Sequence, residues 1–114
     1  MMAEYGILRA DQLSLLRRYS IACPAFPTCG LSITEAERAL PGVIDQLEQE
    51  VAKLGLQSDK LAVHMTGCPN GCARPYNSDI GLVAVGIATP QPGAPADAPA
   101  TYLCCDARHA ASLL

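Results

Sequence analysis

Tryptophan is absent from this chain and phenylalanine occurs once, so aromatic residues make up only 4% of it. Large rings supply much of the burial in a small domain. Their scarcity in 114 residues points to part of a larger body more than to a self-sufficient fold. Clustered basic charge is also missing. Eight Lys and Arg against eleven Asp and Glu leave a net charge of −3, and the cations are scattered. No face therefore suits a phosphate backbone, and nucleic acid is not an expected partner. The longest strongly apolar run, residues 80–88, contains two glycines and falls well short of the roughly 20 residues a bilayer span requires. A membrane role is not expected either. Met1-Met2-Ala3-Glu4 lacks a basic segment leading into an apolar one, and the Arg- and Ser-rich character of a transit peptide is missing. The expected location is cytoplasmic, or the chloroplast stroma if the source is a photosynthetic eukaryote, and not secreted.

What is present is a chain half apolar by composition, enough for one small domain. Ile7, Leu8, Leu13, Leu15 and Leu16 precede Arg17-Arg18, and Asp11 is placed to cap a short helix over Gln12–Arg18. Ser32-Ile33-Thr34-Glu35 has the form of a capping box, predicting a helix to about Leu40. Pro41 is welcome only in a first turn, so a second helix is expected from Pro41 to Leu54. Val43, Ile44, Leu47, Val51 and Leu54 form its apolar stripe, read as core packing, and Gly55 ends it. Lys60–Thr66 and Ile80–Val85 read as strands. Ala, Pro and Gly dominate residues 88–100, which predicts an extended or disordered tail.

The six cysteines carry the chemical signal, because a non-secreted chain uses them for metal or redox chemistry before disulfides. Cys23 and Cys29 enclose Pro24-Ala25-Phe26-Pro27-Thr28, and Cys68 and Cys72 enclose Pro69-Asn70-Gly71. Two rigid loops of this kind can converge four thiolates on a cubane iron–sulfur cluster. Structural zinc favours two to four intervening residues, a spacing the second pair meets and the first does not. Spacing alone ranks iron–sulfur above zinc and leaves structural or reactive thiols open. Cys104 and Cys105 are read as incidental thiols.

Ala22-Cys23-Pro24-Ala25-Phe26-Pro27-Thr28-Cys29-Gly30 resembles the first cluster motif of sulfite reductases, and Thr66-Gly67-Cys68-Pro69-Asn70-Gly71-Cys72-Ala73-Arg74-Pro75 resembles the second. The likeness runs from about Gly6 to Val83 and takes in Glu35-Ala36-Glu37-Arg38 and Leu40-Pro41. Sirohaem nitrite reductases share the plan but typically place Thr-Gly after the first cysteine, where this chain has Pro24-Ala25. The Cys-Pro-Ala opening and the Cys29-Gly30 step look more like the ferredoxin-dependent enzymes than the NADPH-dependent ones.

The resemblance implies that Cys23, Cys29, Cys68 and Cys72 ligate a [4Fe–4S] cluster. It further implies that Cys72 bridges to the iron of sirohaem and is the residue closest to catalysis. Sulfite would be the substrate, reduced to sulfide with six electrons from a donor such as reduced ferredoxin. Asn70 either shapes the sirohaem pocket or is simply a turn residue before Gly71. His64 stands where the family usually has Arg, exchanging a permanent cation for an imidazole. The basic residues that grip sulfite in the family come from regions this chain does not contain. After Val83 the family's glycine-rich continuation gives way to the Ala/Pro-rich tail, as a truncated gene or altered reading frame would produce.

The expected architecture is an α/β (α+β) fragment with helices packed on a small sheet. Its order is helix, cysteine loop, two helices, strand, second cysteine loop, strand, tail. Residues 1–86 are read as a partial sirohaem/[4Fe–4S]-binding domain and 87–114 as the divergent tail. Two other functions remain in view: a non-catalytic iron–sulfur or zinc module, and a remnant with no cofactor.

Overall fold

The chain enters through two short 3-10 turns, Ala3–Tyr5 and Ala10–Gln12, before its first α-helix, α1, Leu15–Arg18. The computed structural model describes residues 3–87 and 100–105. α1 starts later than the sequence predicts, and Asp11 is not its cap. Asp11 lies in the preceding turn and pairs with Arg9 at 3.1 Å. Ser14 holds the cap position instead, its Oγ accepting the Arg17 N–H at 3.2 Å. An extended Ser directly before the helix reaches that donor, whereas Asp11 sits a full turn too early.

Strand β1, Ser20–Ala22, follows at once; three residues leave too little periodicity to be read from sequence. The helix expected after the Ser32–Glu35 box does not form. Ser32 Oγ donates back to the Cys29 carbonyl at 2.7 Å. The Ile33 and Thr34 N–H groups both donate to the Gly67 carbonyl, at 2.8 and 3.1 Å. Donors that a helix start would leave free are taken by a distant part of the chain, so the segment stays irregular until Leu40.

One helix then runs from Leu40 to Lys53, α2, with Pro41 in its first turn as predicted. Its end is built on Gly55, whose φ of +72° suits a residue with no Cβ. Gly55 N–H reaches the Ala52 carbonyl at 3.2 Å and Leu56 N–H the Val51 carbonyl at 3.0 Å. This paired closure satisfies two orphan carbonyls of the last turn. Of the predicted stripe, Ile44 is fully buried and Leu47 packs on the core, but Leu54, at the C-cap, is 70% exposed.

Strand β2, Val63–Thr66, returns parallel to β1, and β3, Ile80–Ile87, lies parallel on its other side. With neighbours on both edges, all four β2 residues are buried, as in other covered parallel sheets. β4, Ala100–Cys105, pairs antiparallel with β3 and completes the order β1-β2-β3-β4. This strand falls within the stretch read as tail; residues 88–99 and 106–114 lie outside the described residues.

Alternation along β2 sends Val63 and Met65 to one face, where they join Leu16 of α1 and Leu40 and Ile44 of α2 in the core. Fully burying side chains of this size stabilises by about 1.5–3 kcal/mol each. His64 and Thr66 point to the other face. There, residues 67–79 cross between β2 and β3 without an α-helix. A Cβ on Gly81, the register partner of His64, would lie 2.2 Å from the Pro75 carbonyl oxygen. The crossing chain therefore lies directly on the sheet, and Gly81 is what admits it.

Candidate functional site

Parallel pairing brings the two cysteine loops together. Neighbouring parallel strands end at the same edge of a sheet, the usual position for ligand-binding loops in α/β folds. Cys23 follows the last residue of β1, and Cys68 comes two residues after the end of β2. The Cys23 N–H extends the ladder, donating to the Met65 carbonyl at 3.1 Å. Sequence-distant cysteines are thus delivered to one edge by strand direction alone.

Gly67 locks the loops to each other. Its carbonyl accepts from Ile33 and Thr34, and its N–H donates to Cys23 Sγ at 3.2 Å. A Cβ there would stand 2.5 Å from the Thr34 carbonyl oxygen and 2.6 Å from Ala25 Cβ, closer than real atoms approach. Within the first loop, Ala25 is completely buried with φ +48°. This left-handed conformation is costly for a residue bearing a Cβ. It aims the Ala25 carbonyl at the Cys29 N–H, 2.7 Å away. The Phe26–Pro27 bond in the same loop is cis.

The second loop is held at both ends. Thr66 Oγ1, fully buried, donates to the Cys68 carbonyl at 3.1 Å. Gly71 has φ +69° and Arg74 φ +53°, with the Arg74 N–H bonded to the Gly71 carbonyl at 2.8 Å. His64 Nδ1 lies 3.0 Å from the Arg74 carbonyl oxygen.

All four candidate ligands are free thiols: Cys23 and Cys68 are buried, Cys29 half-buried and Cys72 exposed. Among the described residues no three His, Cys, Asp or Glu side chains are close enough to hold one metal ion. A tetrahedral Zn–S site needs bond lengths of about 2.3 Å and therefore closely spaced sulfurs. A cubane takes its thiolates at the corners of a larger body. Thiols on two loops joined through Gly67, with a backbone N–H aimed at one sulfur, are donors of a chemistry that such a group accepts. Amide-to-sulfur bonds of this type tune bound clusters.

Cys104 and Cys105 pair in register with Leu82 and Gly81 on β3. Asn70 is exposed in the turn before Gly71. Sequence reading missed the parts played by Gly67, His64 and Arg74. Gly67 was visible only as a motif letter, and its reason, contact with Ala25 and Thr34, is tertiary.

No family model matches the chain. Over 86 residues, 75% of its length, it is 50% identical to the sulfite reductase (NADPH) hemoprotein beta-component of Methylobacterium nodulans, covering 14% of that protein. It is 52% identical over 82 residues, 72% of its length, to the protein of the same name from Acidithiobacillus ferrooxidans, covering 15% of it. It is also 46% identical over 83 residues, 73% of its length, to the sulfite reductase (ferredoxin) of Synechococcus elongatus, covering 13%. The chain thus spans about one-seventh of these relatives. Among solved structures, the NirA protein of Mycobacterium tuberculosis matches with a TM-score of 0.66 at 24% identity, over 95% of this chain and 22% of that one. The α/β architecture is therefore that of a segment of this larger fold.

Proposed function

We propose that this chain is the [4Fe–4S]- and sirohaem-binding segment of a sulfite reductase, within the nitrite/sulfite reductase family. Residues 1–86 would form the binding unit, with Cys23, Cys29, Cys68 and Cys72 holding the cluster and Cys72 shared with sirohaem. The observation that carries this reading is the meeting of the two cysteine loops through Gly67 at one edge of parallel strands. Similarity at about half identity to sulfite reductase hemoproteins supports it. When bound, such a cluster would store electrons and sirohaem would supply an iron at which sulfite is reduced.

This chain's own residues would supply the frame. Gly67 N–H directs its positive end at the Cys23 sulfur, which accepts it, and Thr66 fixes the Cys68 backbone. Cys72, being exposed, is the thiol of the four most open to a second, large group. The full reaction, sulfite to sulfide with six electrons, would need anion-gripping residues from elsewhere in a longer protein or from a second chain.

Two donors are in contention. The Cys23-Pro24-Ala25 opening and the Cys29-Gly30 step favour a one-electron donor such as reduced ferredoxin. The more identical relatives, which are NADPH-type hemoprotein components, favour the NADPH-served alternative.

Anaerobic reconstitution with iron, sulfide and sirohaem tests the site. About four irons and about four inorganic sulfides per chain are expected, with sirohaem retention lost in Cys72→Ser. One zinc and no sulfide would reject the cluster reading in favour of a structural metal module. Unchanged sirohaem content in Cys72→Ser would remove the bridging role.

A further inference from the structure

His64 belongs to the central strand β2 and is only 8% exposed. A carbonyl oxygen can only accept, so the 3.0 Å contact with the Arg74 carbonyl requires the proton on Nδ1. That carbonyl also accepts the Asn77 N–H at 3.1 Å, which makes it the junction between the second cysteine loop and the 3-10 turn Pro75–Asn77. The junction is left-handed, Arg74 φ +53° and ψ +54°, a conformation that a residue with a Cβ adopts only when its surroundings hold it there. What holds it comes from below. Gly81, in register with His64, leaves room for the Pro75 backbone, and Ser78 Oγ donates to the Pro75 carbonyl at 2.6 Å. Among the described residues, only the His64 contact ties the Arg74 carbonyl to the sheet through a side chain.

We propose that His64 is a positioning residue for the second cysteine loop. Its Nδ1–H pins the Arg74 carbonyl and so sets the exit of the Cys68–Cys72 turn relative to β2. Cys72 lies two residues before this anchor, inside the turn that the Arg74 N–H closes by donating to the Gly71 carbonyl. The consequence for cofactor binding rests on the cluster reading above; the anchoring itself does not.

Paired variants of the full chain separate donor chemistry from volume. Asn carries an N–H at the same bond count from the backbone as His Nδ1, whereas Leu has the same branching and no donor. In His64→Leu, amide exchange over residues 71–77 should accelerate about fivefold, the size expected for one net hydrogen bond, and His64→Asn should return it most of the way. Iron and sulfide content after anaerobic reconstitution should follow the same order. Equal exchange in His64→Asn and His64→Leu would overturn the proposal. So would nitrogen NMR of the unsubstituted chain showing a neutral His64 protonated on Nε2, a measurement that holds even if a variant fails to fold. If the unsubstituted chain takes up no cluster while the exchange order stands, the cluster reading fails and the anchor survives.

Discussion

Glycines in this chain are not equivalent, and the difference can be measured at single positions. At Gly67 an added Cβ would strike backbone and a buried Ala within 2.6 Å, so neither neighbour can swing aside. Gly67→Ala should destabilise by about 2–3 kcal/mol, the cost of overpacking a closed contact, and should part the two cysteine loops. Gly30, also in the first loop's motif, has nothing within 4 Å of the same position. Gly30→Ala should stay within about 0.5 kcal/mol of the parent. Urea midpoints of the two variants check both, and equal losses would show that the loop contact is not what Gly67 provides. The motif marks both glycines alike; only the fold distinguishes them.

At the scale of elements, the joint between α1 and α2 is polar on its outer side. Arg17 donates to Glu48 Oε1 at 3.0 Å and Oε2 at 3.1 Å and also pairs with Asp45, while Ser14 Oγ donates to Glu48. The Ser14 hydroxyl, followed by the Arg17 hydrogen bond, holds the Glu48 carboxyl below its ordinary value, against opposing desolvation. The same partners hold the Arg17 guanidinium above its own, Glu48 foremost. A carboxyl with a depressed folded pKa stabilises fully above the unfolded value, about 4.3. That contribution disappears as pH falls through the folded value. Glu48→Gln should therefore lower the melting temperature at pH 7, by an amount equivalent to about 1 kcal/mol or less for a partly exposed pair. The gap should close below about pH 4. A gap independent of pH would show that packing, and not charge, is what the substitution removes.

The closure of α2 offers a second test at this scale. Gly55→Ala forces a Cβ into the left-handed region at φ +72° and should cost about 1 kcal/mol, read as a lower denaturation midpoint with cysteine reactivity unchanged. Both the Pro41 start and the Gly55 stop were legible in the sequence, because each acts through its own backbone angle. The helix expected after Ser32 was not, because its start signal is local and the competing Gly67 carbonyl is not.

Taken whole, the described residues enclose a thin core. Ile44, Met65 and Val63 are its largest fully buried apolar side chains apart from proline, and the single Phe is 55% exposed in the first cysteine loop. Leu31 and Tyr76, beside the two loops, are exposed as well. Among the described residues no helix is long and apolar enough to cross a membrane. With little apolar burial to spare, a group bound only by the folded chain should contribute visibly to stability. Reconstituted chain should melt well above the metal-free form under anaerobic conditions, and oxidative loss of the cluster should remove the difference. Identical melting curves with a fully loaded cluster would mean that both loops are already as rigid without it.

Cysteine spacing, proline placement and the Gly55 stop were determined by sequence alone, since each depends on the covalent chemistry of a few adjacent residues. The direction of β1, three residues long, was decided only in the tertiary structure, and with it the edge at which both cysteine loops emerge. So was the role of Gly67, whose close contacts are with Ala25 and Thr34 far away in the chain, and that of His64, whose partner lies on another element. Local signals specify turns and ends because they act through one residue's own dihedrals. Convergence of distant loops requires strand pairing, which no short stretch of sequence contains.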